Sequence, residues 1–486
     1  MLRQRDKLLE EWRKIVGEEF VLSSQELIQK ELADVGHFTT RDVIAVISPG
    51  SVLEVEELFG VMKEQESYLP FYPISTGKNW GQGSKKPTGN ECVLLDMHRM
   101  NRIIEINLQY GYAIIEPGVT QWQMSEALQG TTYSINVTGS CKDTSIIGNA
   151  LDRGLGFNRL RDEDLLALEV VLGNGKRIKT GRFYHNPAAA IAWEVPYYAG
   201  PDISSLFFQS NLGIVTAAII QLIPRNECTK MISGQVSKSN LKQAIDSLLK
   251  AKREGLLNSI LKIYNESALK TYKISPSSEE AVYGFYGAYF GRKEVVNAIG
   301  KVLYEDLLNS YIEQIQIYDE TSLLEEKKIV FDWYSGQPDL CESAHSAFDL
   351  NHCNADKEAV EGWLFFLPDL PASGENVITA LNILEDTAKD FSVLINSTVN
   401  IITECSIRLV VSIRFQRDPQ GITKGHSALE YLYQKFSSHG FYPSRYDIDH
   451  RNGRAIYGEG DYLDTLISIK KAIDPQCIIA PEHYIP

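Results

Sequence analysis

The sequence predicts an α+β protein with mixed sheets, not a regular βαβ series. Three stretches of differing texture along the chain carry this. Residues 40–225 are dense in glycine and β-branched residues and break into short strand-like runs. Residues 226–435 carry longer helical patterns, such as LKQAIDSLLKAKREGLL at 241–257. Residues 440–486 return to aromatic, loop-rich sequence. At roughly 100–200 residues per domain, a chain of 486 residues holds two or three domains.

The elements follow in order. The first twenty residues alternate charges and lack an apolar signal core; they read as an amphipathic helix with Leu8, Leu9, Trp12 and Val16 near one face. Asp42–Ser48 is a mostly apolar run bounded by Pro49-Gly50, hence a strand. Ser51 and Glu54 form a capping-box pattern, and Val52, Val55, Leu58, Phe59 and Met62 continue at helical spacing. Phe71–Ser75 is a short strand that runs straight into Gly77, Gly81 and Gly83. Further strands are expected at Cys92–Asp96, Ile103–Asn107, Tyr112–Glu116, Leu166–Leu172 and Ile214–Leu222, with a helix over Trp122–Leu128. Asn174-Gly175 is a type I′ hairpin signal. In the second half, Trp363–Pro368 and Ile407–Phe415 read as strands, and Gly425–Ser437 and Asp461–Ala472 as helices.

Composition excludes several classes. With 44% hydrophobic residues the chain can build large cores. No run reaches the ~18 apolar residues of a membrane span; the best candidate, Leu206–Ile223, is broken by Gln209, Ser210, Asn211 and Gln221. The net charge of −15 repels phosphate backbones, so nucleic acid is not an expected partner, although a local basic pocket remains compatible with it. Seven cysteines are scattered with no CxxC pair, and most are expected to be reduced and buried. Nine histidines show no metal-ligand spacing, so no metal is expected. The expected location is the cytoplasm.

The segment PISTGKNWGQGSKKP (73–87) carries the most chemistry. Three glycines and small polar residues after a strand let successive N–H groups converge on one anion, and Lys78, Lys85 and Lys86 add positive charge. The physical reading is a pyrophosphate cradle. Neither GxxxxGK[ST] nor GxGxxG is present, and alone such a loop is an ordinary surface turn.

Its surroundings change that judgement. PISTGKNWGQG (73–83), VLLDMHRMNRIIEIN (93–107), YAIIEPGVT (112–120), TSIIGNALDRGLGF (144–157), LEVVLGNGKRIKTG (168–181), GPDISSLFFQSNLGIVT (200–216), GFYPSR (440–445) and IDPQCIIAPEHY (473–484) follow one another. In this order they resemble the vanillyl-alcohol oxidase / p-cresol methylhydroxylase (PCMH-type) family of FAD-dependent flavoproteins. The close match covers about two fifths of the chain.

The resemblance implies a PCMH-type FAD-binding domain from residues 1–225 and 441–486, and an inserted α+β cap domain with an antiparallel sheet over 226–440. It implies that Ser75, Thr76, Gly77, Lys78, Asn79, Gly81, Gln82 and Gly83 cradle the FAD pyrophosphate. Pro117, Gly118 and Val119 would line the adenine-ribose end. Ser145, Ile146, Gly148 and Asn149 would run beside pyrophosphate and flavin, and Gly213, Ile214 and Val215 would meet cofactor through backbone. Arg445 matches the family's tail arginine near flavin and substrate.

Four departures bear on the reaction. The family's two phenol-holding tyrosines fall on Gln82 and Ser444, with Tyr442 and Tyr446 pointing elsewhere, which argues against a simple 4-alkylphenol. The active-site aspartate falls on Gly139 or Ser140; Asp143 is the nearest carboxylate, a base or a satisfied loop residue. The tethering position in TECSIRLVVSIRF (403–415) falls on or near Arg408, so FAD is expected to be noncovalent, with Cys141 an ordinary reduced thiol. The tail reads APEHY, with Glu482 and His483 as local loop variation.

Arg408 and Arg414 share strand parity and, with Arg445, would suit a carboxylate; the alternative pairs Arg408 with Glu404 and leaves Arg414 exposed. Trp333, Tyr334, His345 and His352 would form a substrate wall, or plain surface and core. Asp447, Asp449 and His450 would form a proton relay, or none.

The function implied is oxidation of a specialised organic substrate, such as a secondary-metabolite intermediate, by hydride transfer to flavin N5. O2 or another carrier would be the electron acceptor, and a homodimer is compatible with the resemblance. Oxidative decarboxylation of a carboxylate substrate, or a catalytically silent FAD-binding scaffold, are the alternatives.

Overall fold

The computed structural model describes residues 2–63, 68–181, 200–272, 283–308, 311–338 and 354–486. Three sheets organise them. The first has strands β1 (Val21–Leu22), β2 (Val43–Ile47), β3 (Phe71–Ile74) and β4 (Cys92–Asp96) in the order β1-β2-β4-β3. β2, β4 and β3 run parallel, and all five residues of β4 are buried. Burial on both faces explains why β2 and β4 are near-continuous apolar runs.

The second sheet is antiparallel: β5 (Ile103–Asn107), β6 (Tyr112–Ile115), β8 (Leu165–Leu172), β9 (Arg177–Lys179) and β10 (Gly213–Gln221), in the order β5-β6-β10-β8-β9. The β8–β9 hairpin closes at the predicted place but not by a type I′ turn: of Asn174 and Gly175 only Gly175 takes positive φ, at 73°, and its N–H donates to Leu172 O at 2.7 Å. A small ribbon pairs β7 (Tyr133–Ser134) with β11 (Ile223–Pro224).

The third sheet has eight antiparallel strands: β12 (Cys228–Val236), β13 (Leu261–Asn265), β14 (Tyr283–Gly291), β15 (Glu313–Tyr318), β16 (Glu361–Pro371), β17 (Leu394–Ile401), β18 (Ser406–Gln416) and β19 (Tyr442–Arg445). Their order is β15-β12-β14-β13-β17-β18-β16-β19. Helices Leu241–Arg253, Gly374–Phe391 and Pro419–Ser438 cover one face, where Leu261, Ile263, Val399 and Val411 join the main core. The alternate residues face the other way, towards the glycine loop.

Expected elements form with small shifts at their ends. The first helix runs Leu2–Val16 and buries Leu8, Trp12 and Val16. In the capping box, Ser51 Oγ accepts from Glu54 N at 3.2 Å, but the Glu54 carboxylate takes the Gly50 N–H at 2.8 Å instead of that of Ser51. The tail returns to the first sheet: Phe71 N donates to Ile478 O and Ala480 N to Phe71 O. Of the five described cysteines all are free, but only Cys92 and Cys141 are buried while Cys405 and Cys477 are exposed, fewer buried than expected. Cys341, Cys353, His345 and His352 lie outside the described residues. No helix among the described residues is long and apolar enough to cross a membrane.

Candidate active site

The three glycines of the 73–87 segment take positive φ: Gly77 at 66°, Gly81 at 72° and Gly83 at 111°. Glycine alone occupies this region without steric cost, so the loop turns tightly between β3 and the third sheet. Gly81 O accepts from Phe365 N at 2.8 Å, which docks the loop on β16. A Cβ at Gly81 would sit 2.8 Å from the Phe365 and Trp363 side chains.

A second segment comes against the first at Gly148. Ser145 caps the helix Ile146–Leu151, its Oγ accepting from Gly148 N at 2.9 Å and donating to Pro117 O at 2.6 Å. A Cβ on Gly148 would lie 2.2 Å from Ser75 Oγ, so glycine lets the two segments meet with the Ser75 hydroxyl between them. Between these segments and the third sheet lies a cavity of 440 Å³.

The cavity gathers many of the predicted residues. Ser75, Thr76, Gly77, Lys78, Asn79, Gln82, Gly83, Pro117, Ser145, Gly148, Asn149, Ile214, Val215 and Arg445 line it. Gly81, Gly118, Val119, Ile146 and Gly213 do not, for they are spent on packing. A Cβ at Gly118 would meet His98 O at 2.5 Å, one at Gly213 would meet Val170 at 2.3 Å, and Val119 and Ile146 are buried in the second sheet's core.

Other expectations are corrected. Asp143 does not line the cavity, whereas Thr138, Gly139, Ser140 and Cys141 do. Arg408 shares a face with cavity-lining Val410, as its parity required, but its guanidinium is spent. Nε and Nη2 donate to Asp369 at 2.7 and 3.0 Å, and Nη1 to Arg153 O. Arg414 is buried against Glu361 at 2.6 Å, not exposed. The loop lysines contribute less charge than expected: Lys85 pairs with Glu31 and Asp96, and Lys86 with Asp34. Asp449 is bound to Arg41 at 2.6 Å, and His450 to Asp447 and Glu430, so the expected relay ties the tail to the body away from the cavity. Tyr442 is 59% exposed and Tyr446 stacks on Tyr433, both outside the cavity as expected.

Among the lining residues that the sequence reading missed, Asp152, His483 and Lys262 bear most on the chemistry. Asp152, at the end of the Ile146–Leu151 helix, pairs with Arg445 at 2.6 Å and Arg451 at 3.1 Å. Burial alone would raise its carboxyl, but the two arginines outweigh this and hold it below the usual range. His483, read as loop variation, points inward; burial and the Arg451 charge push it down to about 3, so it is neutral. Lys262 on β13 faces the cavity with Nζ 2.9 Å from Asn400 Oδ1. The missed signal was a lysine in an apolar strand, LKIYN.

The residues present fit a polar, extended cofactor on one observation beyond the loop. Gln82 Nε2 and Asn149 Oδ1 are buried, belong to cavity-lining residues, and have no hydrogen-bond partner among the described residues. Such groups are satisfied when a ligand supplies the missing donor or acceptor.

Comparison with known proteins agrees. An FAD binding domain family model matches residues 43–181. The chain is 28% identical to the 1′-carboxy-chondrochloren decarboxylase of Chondromyces crocatus, over 99% of this chain and 97% of that protein. It is 31% identical to the flavoprotein subunit of Pseudomonas putida 4-cresol dehydrogenase [hydroxylating], over 45% of this chain and 43% of that one. Substrate-bound p-cresol methylhydroxylase superposes with a TM-score of 0.89 at 20% identity, covering 99% of this chain and 96% of that one. The 4-ethylphenol oxidase of Gulosibacter chungangensis gives 0.88 at 21%, covering 100% and 98%. A glycine loop closed by a cap sheet thus defines a capped FAD flavoprotein, α+β in fold. The chain belongs to the p-cresol methylhydroxylase / vanillyl-alcohol oxidase type of these flavoproteins and is an FAD-dependent oxidoreductase.

Proposed function

We propose that the protein oxidises a specialised organic substrate, not a simple 4-alkylphenol, with O2 or another carrier as the final electron acceptor. One observation carries this: neither position at which the resemblance places a phenol-holding tyrosine has one. The two tyrosine positions hold Gln82 and Ser444, and Arg445 is engaged by Asp152. Bound FAD would supply the acceptor for a hydride.

The chain's residues do the rest. The cavity-lining residues of 73–83, with Pro117, Ser145, Gly148, Asn149, Ile214 and Val215, hold the cofactor, largely through backbone and the orphaned Gln82 and Asn149 amides. FAD is held without a covalent link, the tether position being Arg408 bound to Asp369. Residues 1–225 and 441–486 form the cofactor domain and 226–440 the cap, with β19 carrying Arg445 from the edge of the cap sheet into the cavity. Trp333, Ile329 and Tyr264 of the cap, with Phe157 of the cofactor domain packed against Trp333, give the cavity an apolar, largely aromatic wall.

A second reading is favoured by similarity to a decarboxylase along nearly the whole chain. In it a carboxylate leaves as CO2, the C–C bonding pair becomes a new C=C bond, and the hydride departs from the neighbouring carbon. Atoms, charge and electrons then balance with one two-electron acceptor.

Two measurements test these readings. Rapid anaerobic flavin bleaching by 4-cresol or vanillyl alcohol would refute the exclusion of simple phenols. Release of labelled CO2 in step with bleaching by a carboxylate substrate separates the second reading from the first. Acid precipitation should leave FAD in the supernatant; a yellow pellet would show a covalent link.

A further inference from the structure

We infer that Lys262, positioned by Asn400, is the recognition group for a carboxylate on the substrate. This rests on the reading of the cavity as the substrate pocket, and it concerns a residue outside the sequence motifs of the cofactor loop.

Leu261 and Ile263 of β13 belong to the main core, so Lys262 and Tyr264 face the cavity, which both line. Lys262 is 7% exposed. Its ammonium lies 4.4 Å from the Phe157 ring centroid and donates to Asn400 Oδ1 at 2.9 Å. The Asn400 amide is fixed in this orientation, since its Nδ2 donates to both Thr398 O and Arg408 O at 3.1 Å. Asn400 therefore has no proton left for a ligand and acts as a positioning residue. The ammonium has three protons, and one is spent on Asn400.

Charge accounting then singles out Lys262. Arg445 and Arg451 share Asp152, Lys86 has Asp34, and Lys78 belongs to the glycine loop, where its charge acts on Asp356. Among the described residues no carboxylate pairs with Lys262. A buried ammonium without a counter-ion either loses its proton or takes an anion. Burial pushes Lys262 down to about 7, so near neutrality a small gain in interaction restores its charge. A single ammonium suits one monoanionic carboxylate better than a phosphate dianion.

Its titratable neighbours are few. One row across the sheet reads Tyr286, Lys262, Asn400, Arg408, Asp369. Lys327 donates to Tyr286 Oη, and Arg408 is neutralised by Asp369. Tyr264, Tyr272 and Tyr334 are pushed up by burial and stay protonated near neutral pH. The ammonium stabilises a carboxylate as it stands. Its part is therefore recognition, and any CO2 loss is driven by the coupled oxidation.

The test uses oxidised holoenzyme, with phenylacetate and phenylacetamide as probes followed by flavin difference spectra and calorimetry. At about pH 6 the carboxylate should bind at least about tenfold tighter than the amide, and its affinity should fall about tenfold per unit well above pH 7. At about pH 8 its binding should take up a proton, whereas a neutral phenol handing its proton to Lys262 would take up none. Lys262→Met should abolish the preference and its pH dependence while amide binding persists. Phenylacetate binding no tighter than phenylacetamide, or unchanged between about pH 6 and 9, overturns the assignment. The native-protein titration needs no variant to fold. Because binding is read without turnover, absence of flavin bleaching counts against the oxidation reading alone.

Discussion

The Asp152 carboxylate lies 2.6 Å from Arg445 Nε and joins the end of the Ile146–Leu151 helix to the end of β19. The same carboxylate holds Arg451, so one negative charge serves two cations beside the cavity, the buried Arg451 and the partly buried Arg445.

Asp152→Asn removes that charge and leaves both arginines short of a partner. Breaking a buried ion pair from one side costs about 3 kcal/mol or more, so the thermal midpoint should fall. The field beside the bound flavin becomes more positive, so its midpoint potential should rise. Equilibrium dye titration of holoenzyme reads the potential; an unchanged or lower value would separate Asp152 from the flavin.

Gly148→Ala brings a methyl to 2.2 Å from Ser75 Oγ. Ser75 must turn away or the two segments must part. The expected outcome is a lower FAD-to-protein ratio on purification, read from flavin and protein absorbance. Adding Ser75→Ala should recover part of the loss.

His450 sits between Asp447 and Glu430 and stacks 4.0 Å from Tyr433. Burial alone would lower it, but the two carboxylates raise it to about 9. A group raised on folding stabilises fully below its unfolded value of ~6.5, and that contribution is lost as pH rises through the folded value. His450→Gln should therefore lower the thermal midpoint at about pH 6 and do little at about pH 10. Equal effects at both would show that the ring acts by packing alone.

Arg408→Met leaves Asp369 and Arg153 O without their donor. A loss of about 1–3 kcal/mol in stability is expected, with KM for the oxidised substrate nearly unchanged. A large rise in KM at constant stability would return Arg408 to the substrate site.

Much of the cofactor side was legible because its requirements are local. A tight turn needs glycine where φ is positive, and Gly77, Gly81 and Gly83 show this in any context. Gly118 and Gly213 looked the same in sequence, yet their missing side chains make room for His98 O and Val170, which no local pattern reveals. His483 likewise read as loop variation because its inward direction depends on the tail folding back along β3.

By itself, the sequence determined the α+β class, the glycine cradle and the absence of phenol-holding tyrosines at positions 82 and 444. Whether a buried cation is paired with a carboxylate or with an amide was decided by tertiary structure. Arg408 and Arg414 meet Asp369 and Glu361 only because β16 and β18 pair in one register, and the parity of β13 turns Lys262 into the cavity with an amide beside it. A charge is available or spent according to neighbours that lie far away along the chain, and only the packed sheet brings those neighbours together.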